Sequence, residues 1–437
     1  MSKMDPAHQV SSLGFLPESC VDQLPTKFAY LQPLVDNLST EDGKKYRGLV
    51  DELEVVKDQD FTMDTLKDSE IKFMYSITCM IINKYVWCLG SANATPKIPK
   101  VIGQPWINSA DVIGIAPALT HAAVDLYNWS LIDPKKGFEL DNLKSNYLMT
   151  GNSQEEWFYL IMVAIEGQSG RLLKAVYTVL SGLDFKRRHS HIYFNNKTIA
   201  RELQTIAECM RKNVEVINRM YERCKPDFFF NKLRIYLSGS SNKEYFPDGF
   251  KIEGMEDRIV SYDGGSAAQS SLIQALDIFF SVKHDGTHKE FLDRMHTYMP
   301  KAHSNFLMLL KSYPRFCDYV NTEKDKELGD MYDECLVQLR KFRNCHFQIV
   351  HKYIVPFITS KDESESKESE EASADSTNVH GMKGSGGTEP EKFLGALIED
   401  TKDARKNIGW QEDNWQWVWF VVAVLVAILA WYVMSSD

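Results

Sequence analysis

One segment of the chain has an unusually regular helical pattern, and this pattern limits the folds that the chain can adopt. In NKTIARELQTIAECMRKNVEVINRMYERC, apolar residues recur every three or four positions: Ile199, Leu203, Ile206, Met210, Val214 and Ile217. Such spacing places them on one face of an α-helix. The pattern stops at Lys225-Pro226, where proline ends a helix. The segment therefore predicts a long amphipathic helix that packs on a larger core.

Similar periodicity runs through residues 162–180, 271–282 and 323–355, and alternating strand patterns are few and short. We therefore predict a mainly α-helical fold. With 437 residues the chain is long enough for two domains. We place a smaller part before about Met149 and a larger helical part after it. No repeat of solenoid length is visible.

Composition excludes some functions. The formal charge is -10 and no Lys/Arg stripe is interleaved with aromatic residues, so we expect no nucleic-acid partner. The eight cysteines are scattered without a CxxC pair. We interpret them as free thiols in a reducing compartment.

The last residues read as a membrane anchor. WQWVWFVVAVLVAILAWYVM, residues 415–434, has about the twenty apolar residues that cross a bilayer, with aromatic residues near both ends. The N-terminus lacks a signal peptide, and basic residues lie upstream of the span but not after it. We therefore predict a single-pass tail anchor with the body on the cytoplasmic face, at the endoplasmic reticulum rather than the mitochondrial outer membrane.

A low-complexity segment, residues 361–388, separates the body from this tail. Its first half is acidic and serine-rich, and its second half ends in GSGGT. The first half predicts disorder. A linker is the simple interpretation of the second half, but EKFLGALIED follows with the pattern of a short helix that packs on the body. The segment then leaves the folded body and returns to it, as an active-site lid does.

Two histidines lie in NCHFQIVHKYIVPF. His346 falls four residues after Phe342 and three before Ile349, so it faces the interior with them. His351 is five residues further on, about 140° round the helix. From this helix alone, a hydrogen-bonded core histidine is the simpler interpretation of His346, and an axial bond to haem iron is the alternative.

Two other segments contain polar residues in apolar surroundings. FFFNKLRIYLSGS contains Arg234, and a buried guanidinium needs a carboxylate in the protein or on a ligand. DGGSAAQSSLIQALDIFFSV begins with glycines and serines before an apolar helix. The glycines allow close approach of the backbone to a flat group, although a capped tight turn is the simpler interpretation.

These segments together resemble one known family. Six motifs occur in the order and at the separations typical of the indoleamine 2,3-dioxygenase family, over roughly residues 14–400: GGSAAQSS, RxxxYMPxAHxNFL, FFxxLRIYLSG, CHFQIVxKYI, KYVWCLG and GSGGT. The resemblance implies an all-α fold, with a small N-terminal domain at 14–148 and a large haem-binding domain at 149–410. It also implies haem b as cofactor, L-tryptophan or another indoleamine and O2 as substrates, an electron donor for the ferric haem, and a monomer.

The resemblance also implies roles for particular residues. His346 matches the proximal iron ligand, and Arg234 matches the arginine that pairs with the substrate carboxylate. Aromatic residues that pack round the indole are matched by Phe229 and Phe158, and Phe230 lies beside Phe229. The segment lining the haem and distal pocket is matched by Gly265, Ser266 and Ala267. Ser385 stands at the second position of the glycine-rich lid, where the family usually has threonine.

Two positions depart from the family. Met162 stands where relatives carry serine or histidine, and a thioether cannot donate a hydrogen bond. His121 replaces a tyrosine of the pocket and either faces the distal side or packs at the rim. These changes leave the rate and the preferred indoleamine open.

Two other function classes compete with the dioxygenase. An O2-binding haem protein of this family, such as the molluscan myoglobins, would have no use for Arg234 or the lid. A membrane-tethered scaffold could use the acidic serine-rich segment as a phosphorylation-dependent docking site. The retention of His346 and Arg234 favours the dioxygenase.

Overall fold

The computed structural model describes residues 10–53, 60–188, 194–357 and 390–406. Its α-helices are α1 Gln32–Asp36, α2 Gly43–Asp51, α3 Asp68–Trp87, α4 Lys100–Ile113, α5 Ser153–Gln168, α6 Gly170–Arg188, α7 Asn196–Asn218, α8 Met220–Arg223, α9 Pro226–Phe228, α10 Ser271–Phe279, α11 Gly286–Met295, α12 Lys301–Ser312, α13 Phe316–Glu323, α14 Lys326–Tyr353 and α15 Pro390–Lys406. The fold is mostly helical, as predicted.

Short elements connect these helices. The strands are β1 Lys97–Ile98, β2 Trp129–Leu131, β3 Leu143–Ser145, β4 Phe250–Ile252 and β5 Ile259–Val260. β4 lies between a parallel β1 and an antiparallel β5, and β2 pairs antiparallel with β3. Short 3-10 helices span Thr26–Leu31, Ser91–Asn93, Pro134–Lys136, Leu140–Asn142, Arg234–Leu237, Ala267–Gln269 and His296–Tyr298. Two turns of π-helix span Ala122–Leu126 and Phe229–Leu233.

The longest described helix is α14. Asp325 caps it by accepting a hydrogen bond from the backbone N–H of Leu328. α14 packs along α7 on one side and against α15 on another. The predicted amphipathic helix is α7, and it ends at Asn218; the short α8 begins directly after Arg219.

One predicted helix is divided in two. The pattern over 162–180 suggested a continuous helix, but α5 ends at Gln168 and α6 begins at Gly170. Ser169 between them donates from Oγ to the carbonyl of Ile165 and accepts from the Asn213 amide. A Cβ on Gly170 would lie 2.0 Å from the carbonyl oxygen of Ser12. The close approach of the N-terminal segment therefore requires glycine at this break.

The helix α15 packs on the body as its apolar pattern predicted. Phe393, Leu394 and Leu397 are buried against α11 and α14. The preceding residues, including Ser385 of the predicted lid, lie outside the described residues.

The predicted membrane location needs correction. No helix in the described ranges is both long and apolar enough to cross a bilayer. The 20-residue α3 is long enough, but it carries Asp68, Glu70, Lys72 and Lys84 and is largely buried within the body. Residues 415–434 lie outside the described part of the chain. We therefore withdraw the tail anchor and the assignment to a cytoplasmic membrane face.

Candidate functional site

A largely apolar cavity lies between α5, α14, α15 and the segment that follows β5. Its walls include Phe158, Met162, Ile165 and Glu166 from α5; Phe342, Arg343, His346, Ile349, Val350 and Tyr353 from α14; Phe393, Leu394 and Leu397 from α15; and Gly265, Ser266, Ala267, Ala268 and Ser270. Two further contributors, Asp125 and Phe229, lie in the two turns of π-helix. Such turns widen a helix locally and are frequent at functional sites.

His346 is half-buried in the wall of this cavity. Among the described residues, no hydrogen-bond partner contacts its ring, so the core-histidine interpretation lacks the partner that it requires. Burial lowers the pKa of His346 to about 4. The imidazole is therefore neutral near pH 7 and keeps a lone pair that can bind a metal. His351 is exposed, as its helical phase predicts.

Aromatic rings form one side of the cavity. The ring centroids of Phe158 and Phe229 are 5.0 Å apart, and those of Phe229 and Tyr353 are 5.8 Å apart. Ring contacts at favourable centroid distances thus join α5, the turn Phe229–Leu233 and α14. This wall offers flat apolar surface to a flat ligand.

The glycine–serine segment lies in the wall as well. A Cβ on Gly264 would lie 2.0 Å from the carbonyl oxygen of Leu237, so glycine is needed here for a backbone-to-backbone contact inside the protein. Gly265 lines the cavity and donates its N–H to the same Leu237 carbonyl. The Ser266 hydroxyl accepts from the N–H of Ala268 and caps the turn.

Arg234 lies next to the cavity and does not belong to its described lining. It follows the turn that carries Phe229, and its guanidinium carbon is 5.0 Å from the centre of the Phe230 ring. Burial lowers the pKa of Arg234, and the nearby Tyr245 opposes this effect. Phe230 is not part of the described lining, and its ring stacks on that of Phe357 with the centroids 4.9 Å apart.

A buried charged cluster, here called the arginine cluster, lies at another wall. Arg343 Nη2 donates to Asp277 Oδ1 at 2.5 Å, and Nη1 donates to the Leu397 carbonyl and the Thr401 hydroxyl. His284 contacts Asp277 Oδ2 at 3.1 Å through Nε2 and Asp400 Oδ2 at 2.7 Å through Nδ1. These contacts attach α15 to α10 and α14.

Opposing effects set the protonation of the arginine cluster. Burial would raise the pKa of Asp277, but Arg343 and His284 lower it. Burial would lower the pKa of His284, but Asp277 and Asp400 raise it. A ring with a carboxylate oxygen at each nitrogen can satisfy both only as an imidazolium.

A second buried cluster, here called the acceptor cluster, consists of His121, Asp125, Glu166 and Ser270, and all four line the cavity. His121 contacts Asp125 Oδ2 at 2.7 Å through Nδ1 and Glu166 Oε1 at 3.0 Å through Nε2. The Ser270 hydroxyl donates to the same Glu166 oxygen at 2.6 Å. Burial alone would lower the pKa of His121, but Asp125 and Glu166 outweigh it and raise the pKa to about 10.

The family profile described as indoleamine 2,3-dioxygenase matches residues 6–404. The chain is 32% identical over 323 residues to indoleamine 2,3-dioxygenase 1 of Rattus norvegicus, covering 73% of this chain and 76% of that protein. It is 30% identical over 346 residues to indoleamine 2,3-dioxygenase of Saccharomyces cerevisiae, covering 75% and 74%.

The chain belongs to the indoleamine 2,3-dioxygenase family. The family and the haem-dependent dioxygenase activity predicted from the motifs are therefore confirmed. A protein named myoglobin from Haliotis diversicolor is also similar, at 29% identity over 361 residues, covering 82% of this chain and 90% of that protein.

The cavity suits the haem that this family uses. His346 offers a neutral nitrogen that has no hydrogen-bond partner among the described residues and lies in apolar surroundings, which a proximal iron ligand requires. Arg343 Nε is buried without a hydrogen-bond partner among the described residues. A buried cation with an unused donor fits a carboxylate of the haem periphery.

Sequence reasoning missed several of these residues. Arg343 lies three positions before His346 and therefore on the same face of α14. This spacing could have predicted that Arg343 lies beside His346. Asp125 lies four residues after His121, but Glu166 and Asp277 come from separate helices, so the sequence offers no cue for them. His303, which lies in the RxxxYMPxAHxNFL motif, is buried in the core, with its ring centroid 4.5 Å from that of Phe15.

Proposed function

We propose that the chain adds both atoms of O2 across the indole C2–C3 bond of L-tryptophan or a related indoleamine to give N-formylkynurenine. The observation that carries this proposal is the neutral imidazole of His346, which lines an apolar cavity without a hydrogen-bond partner among the described residues. His346 would hold the iron of haem b, and the bound haem would supply the activation of O2.

The other residues would bind and orient the substrate. The aromatic wall of Phe158 and Phe229 would pack on the indole, and the nearby Arg234 would pair with the substrate carboxylate. Ser266 and Ala267 would line the substrate and haem space, and Ser385 of the lid would help to close over the amino acid. The apolar walls would exclude water from the reacting ring.

Arg343 would hold a haem carboxylate. Asp277 already fixes its guanidinium, so little conformational freedom would be lost when the cofactor binds. Because Arg343 also bonds to the Leu397 carbonyl of α15, cofactor binding and the position of that helix would be linked.

Three further features belong to this proposal. The body would divide into domains at 14–148 and 149–410, it would act as a monomer, and an electron donor would reduce the ferric haem. Met162 offers no hydrogen-bond donor on the α5 wall, so binding and orientation rather than proton donation at this position would drive the reaction.

The test is turnover by the haem-loaded protein with ascorbate, methylene blue and L-tryptophan. We expect the absorbance of N-formylkynurenine to grow with time. If the ferrous protein binds O2 but no product forms, the dioxygenase proposal fails and an O2-binding function replaces it. Tryptophan-free samples and the His346→Ala protein are the controls.

A further inference from the structure

The acceptor cluster has more hydrogen-bond acceptors than the described residues use. Both ring nitrogens of His121 are engaged, one by Asp125 and one by Glu166, so the ring is an imidazolium that donates twice. Asp125 Oδ1 and Glu166 Oε2 are buried and have no hydrogen-bond partner among the described residues. A buried acceptor without a hydrogen-bond donor costs free energy, so this wall is suited to accept a hydrogen bond from a ligand.

The net charge of the acceptor cluster also favours a hydrogen-bond donor on the ligand. One imidazolium between two carboxylates leaves one net negative charge at the cavity wall, and the Ser270 hydroxyl already donates to Glu166. An anionic wall with free acceptor oxygens repels carboxylates and favours a hydrogen-bond donor. A ligand group facing it should therefore be a hydroxyl or an N–H group.

The position of the acceptor cluster in the cavity determines which part of the substrate would contact it. Phe158, Met162 and Glu166 follow one another at four-residue intervals on α5, so Glu166 lies about 12 Å along the helix from Phe158. Phe158 contacts Phe229, and Arg234 begins the turn after Phe229. The chain thus connects Arg234 through Phe229 to the Phe158 end of the cavity wall, whereas the acceptor cluster includes Glu166 at the other end.

This inference rests on the proposed function. If Arg234 pairs with the substrate carboxylate and the aromatic wall packs on the indole, the amino-acid portion occupies the Arg234 end. The benzene ring of the indole then points toward Asp125 and Glu166. The substrate amine cannot be the donor for the cluster, because it stays next to the carboxylate.

We propose that the acceptor cluster is a specificity site for a hydroxyl group on the benzene ring of the indole substrate. The hydroxyl donates to the free oxygen of Asp125 or Glu166, and His121 holds both carboxylates in place. An unsubstituted indole leaves these acceptors without a hydrogen-bond donor. Sites built to bond a hydroxyl discriminate strongly against analogues that lack it, because the buried polar groups then stay unpaired.

The test compares the dissociation constants of 5-hydroxy-L-tryptophan, 5-methyl-L-tryptophan and L-tryptophan. Binding is followed by the Soret shift of the ferric haem-loaded protein, which needs no turnover. The methyl analogue matches the hydroxyl in size but cannot donate. We expect the wild-type protein to bind the hydroxyl analogue about tenfold more tightly than the methyl analogue.

Two variants and one control locate the effect. His121→Leu/Asp125→Leu removes the imidazolium and one carboxylate together and should reduce the preference to less than about twofold. Asp125→Asn keeps the shape and removes a negative charge, so the preference should fall about threefold even if the double variant does not fold. Glu139→Gln, an exposed carboxylate, should keep the wild-type preference.

Three results would overturn the proposal. The first is equal affinity of the wild-type protein for the two analogues, and the second is an unchanged preference in both variants. The third is an equal loss of affinity in the variants for all three ligands, which would mean that the cluster acts on the haem. Failure of the proposed function is a separate result. In that case no N-formylkynurenine would form, whatever the preference in binding.

Discussion

Two histidines line the same cavity in opposite states. His346 has no hydrogen-bond partner among the described residues and a pKa lowered by burial to about 4, whereas His121 lies between two carboxylates that raise its pKa to about 10. Near neutral pH the first is an uncharged imidazole and the second an imidazolium. Only the first has a lone pair for iron. The same residue type thus acquires a different chemistry from its neighbours alone.

The largest effect is expected at His346. His346→Ala removes the only iron-binding nitrogen that we assign, so the purified protein should lose its Soret absorbance and at least about a hundredfold of its tryptophan turnover. His351→Ala changes an exposed histidine on the same helix and should leave both unchanged. A wild-type ferrous–CO spectrum in the His346→Ala protein would contradict the assignment.

A large loss of stability should follow substitution of the buried arginine. Arg343→Met leaves Asp277 without its guanidinium partner, which should lower the free energy of unfolding by about 3 kcal/mol or more. Urea titration measures this change. Arg340→Met, on the same helix and partly exposed, should cost less than about 1 kcal/mol. Equal losses in the two variants would show that the Asp277–Arg343 pair does not stabilise the fold.

The charged state of His121 predicts a pH dependence. Its folded pKa, about 10, lies above the unfolded value of about 6.5, so the folded state binds the extra proton between these values. The contribution of His121 to stability is therefore complete below about pH 6.5 and is lost as the pH rises toward about 10.

The measurement is the free energy of unfolding of the wild-type protein minus that of His121→Gln, a variant that does not titrate. This difference should fall as the pH is raised from about 7 to about 9. A difference that stays constant or grows over this interval would mean that His121 is not an imidazolium in the folded protein.

The smallest effect is expected at the outer end of the arginine cluster. Asp400→Asn weakens one contact to His284 and should destabilise the attachment of α15 by about 1 kcal/mol. Hydrogen exchange over residues 390–406 should then become faster while that of α7 stays unchanged. Glu399→Gln, which alters an exposed pair with Lys402, is the matched control. Equal exchange in the two variants would argue against an attachment through His284.

The sequence predicted those features that depend on local spacing. Helical phase placed His346 inward and His351 outward, and the apolar pattern after the glycine-rich segment predicted α15. The break at Ser169 escaped prediction because it depends on contacts with Asn213 and with the N-terminal segment, both far away in sequence. The two charged clusters escaped for the same reason.

The glycine–serine segment gave a mixed outcome. The expectation that glycine permits close backbone approach holds at Gly264, but the approaching group is the backbone at Leu237.

Arg234 was expected at the substrate and lies beside the described lining of the cavity rather than in it. Spacing along a chain predicts which face a residue occupies; it does not predict which neighbour reaches that face from another element.

The comparison of the two histidines can be tested in one measurement. Resonance Raman spectroscopy of the ferrous haem-loaded protein detects the stretching vibration between iron and a histidine nitrogen. We predict this band in the wild-type and His121→Gln proteins, its absence in His346→Gly, and its return when free imidazole is added to His346→Gly. A band that persists in His346→Gly without imidazole, or that disappears in His121→Gln, would contradict the account.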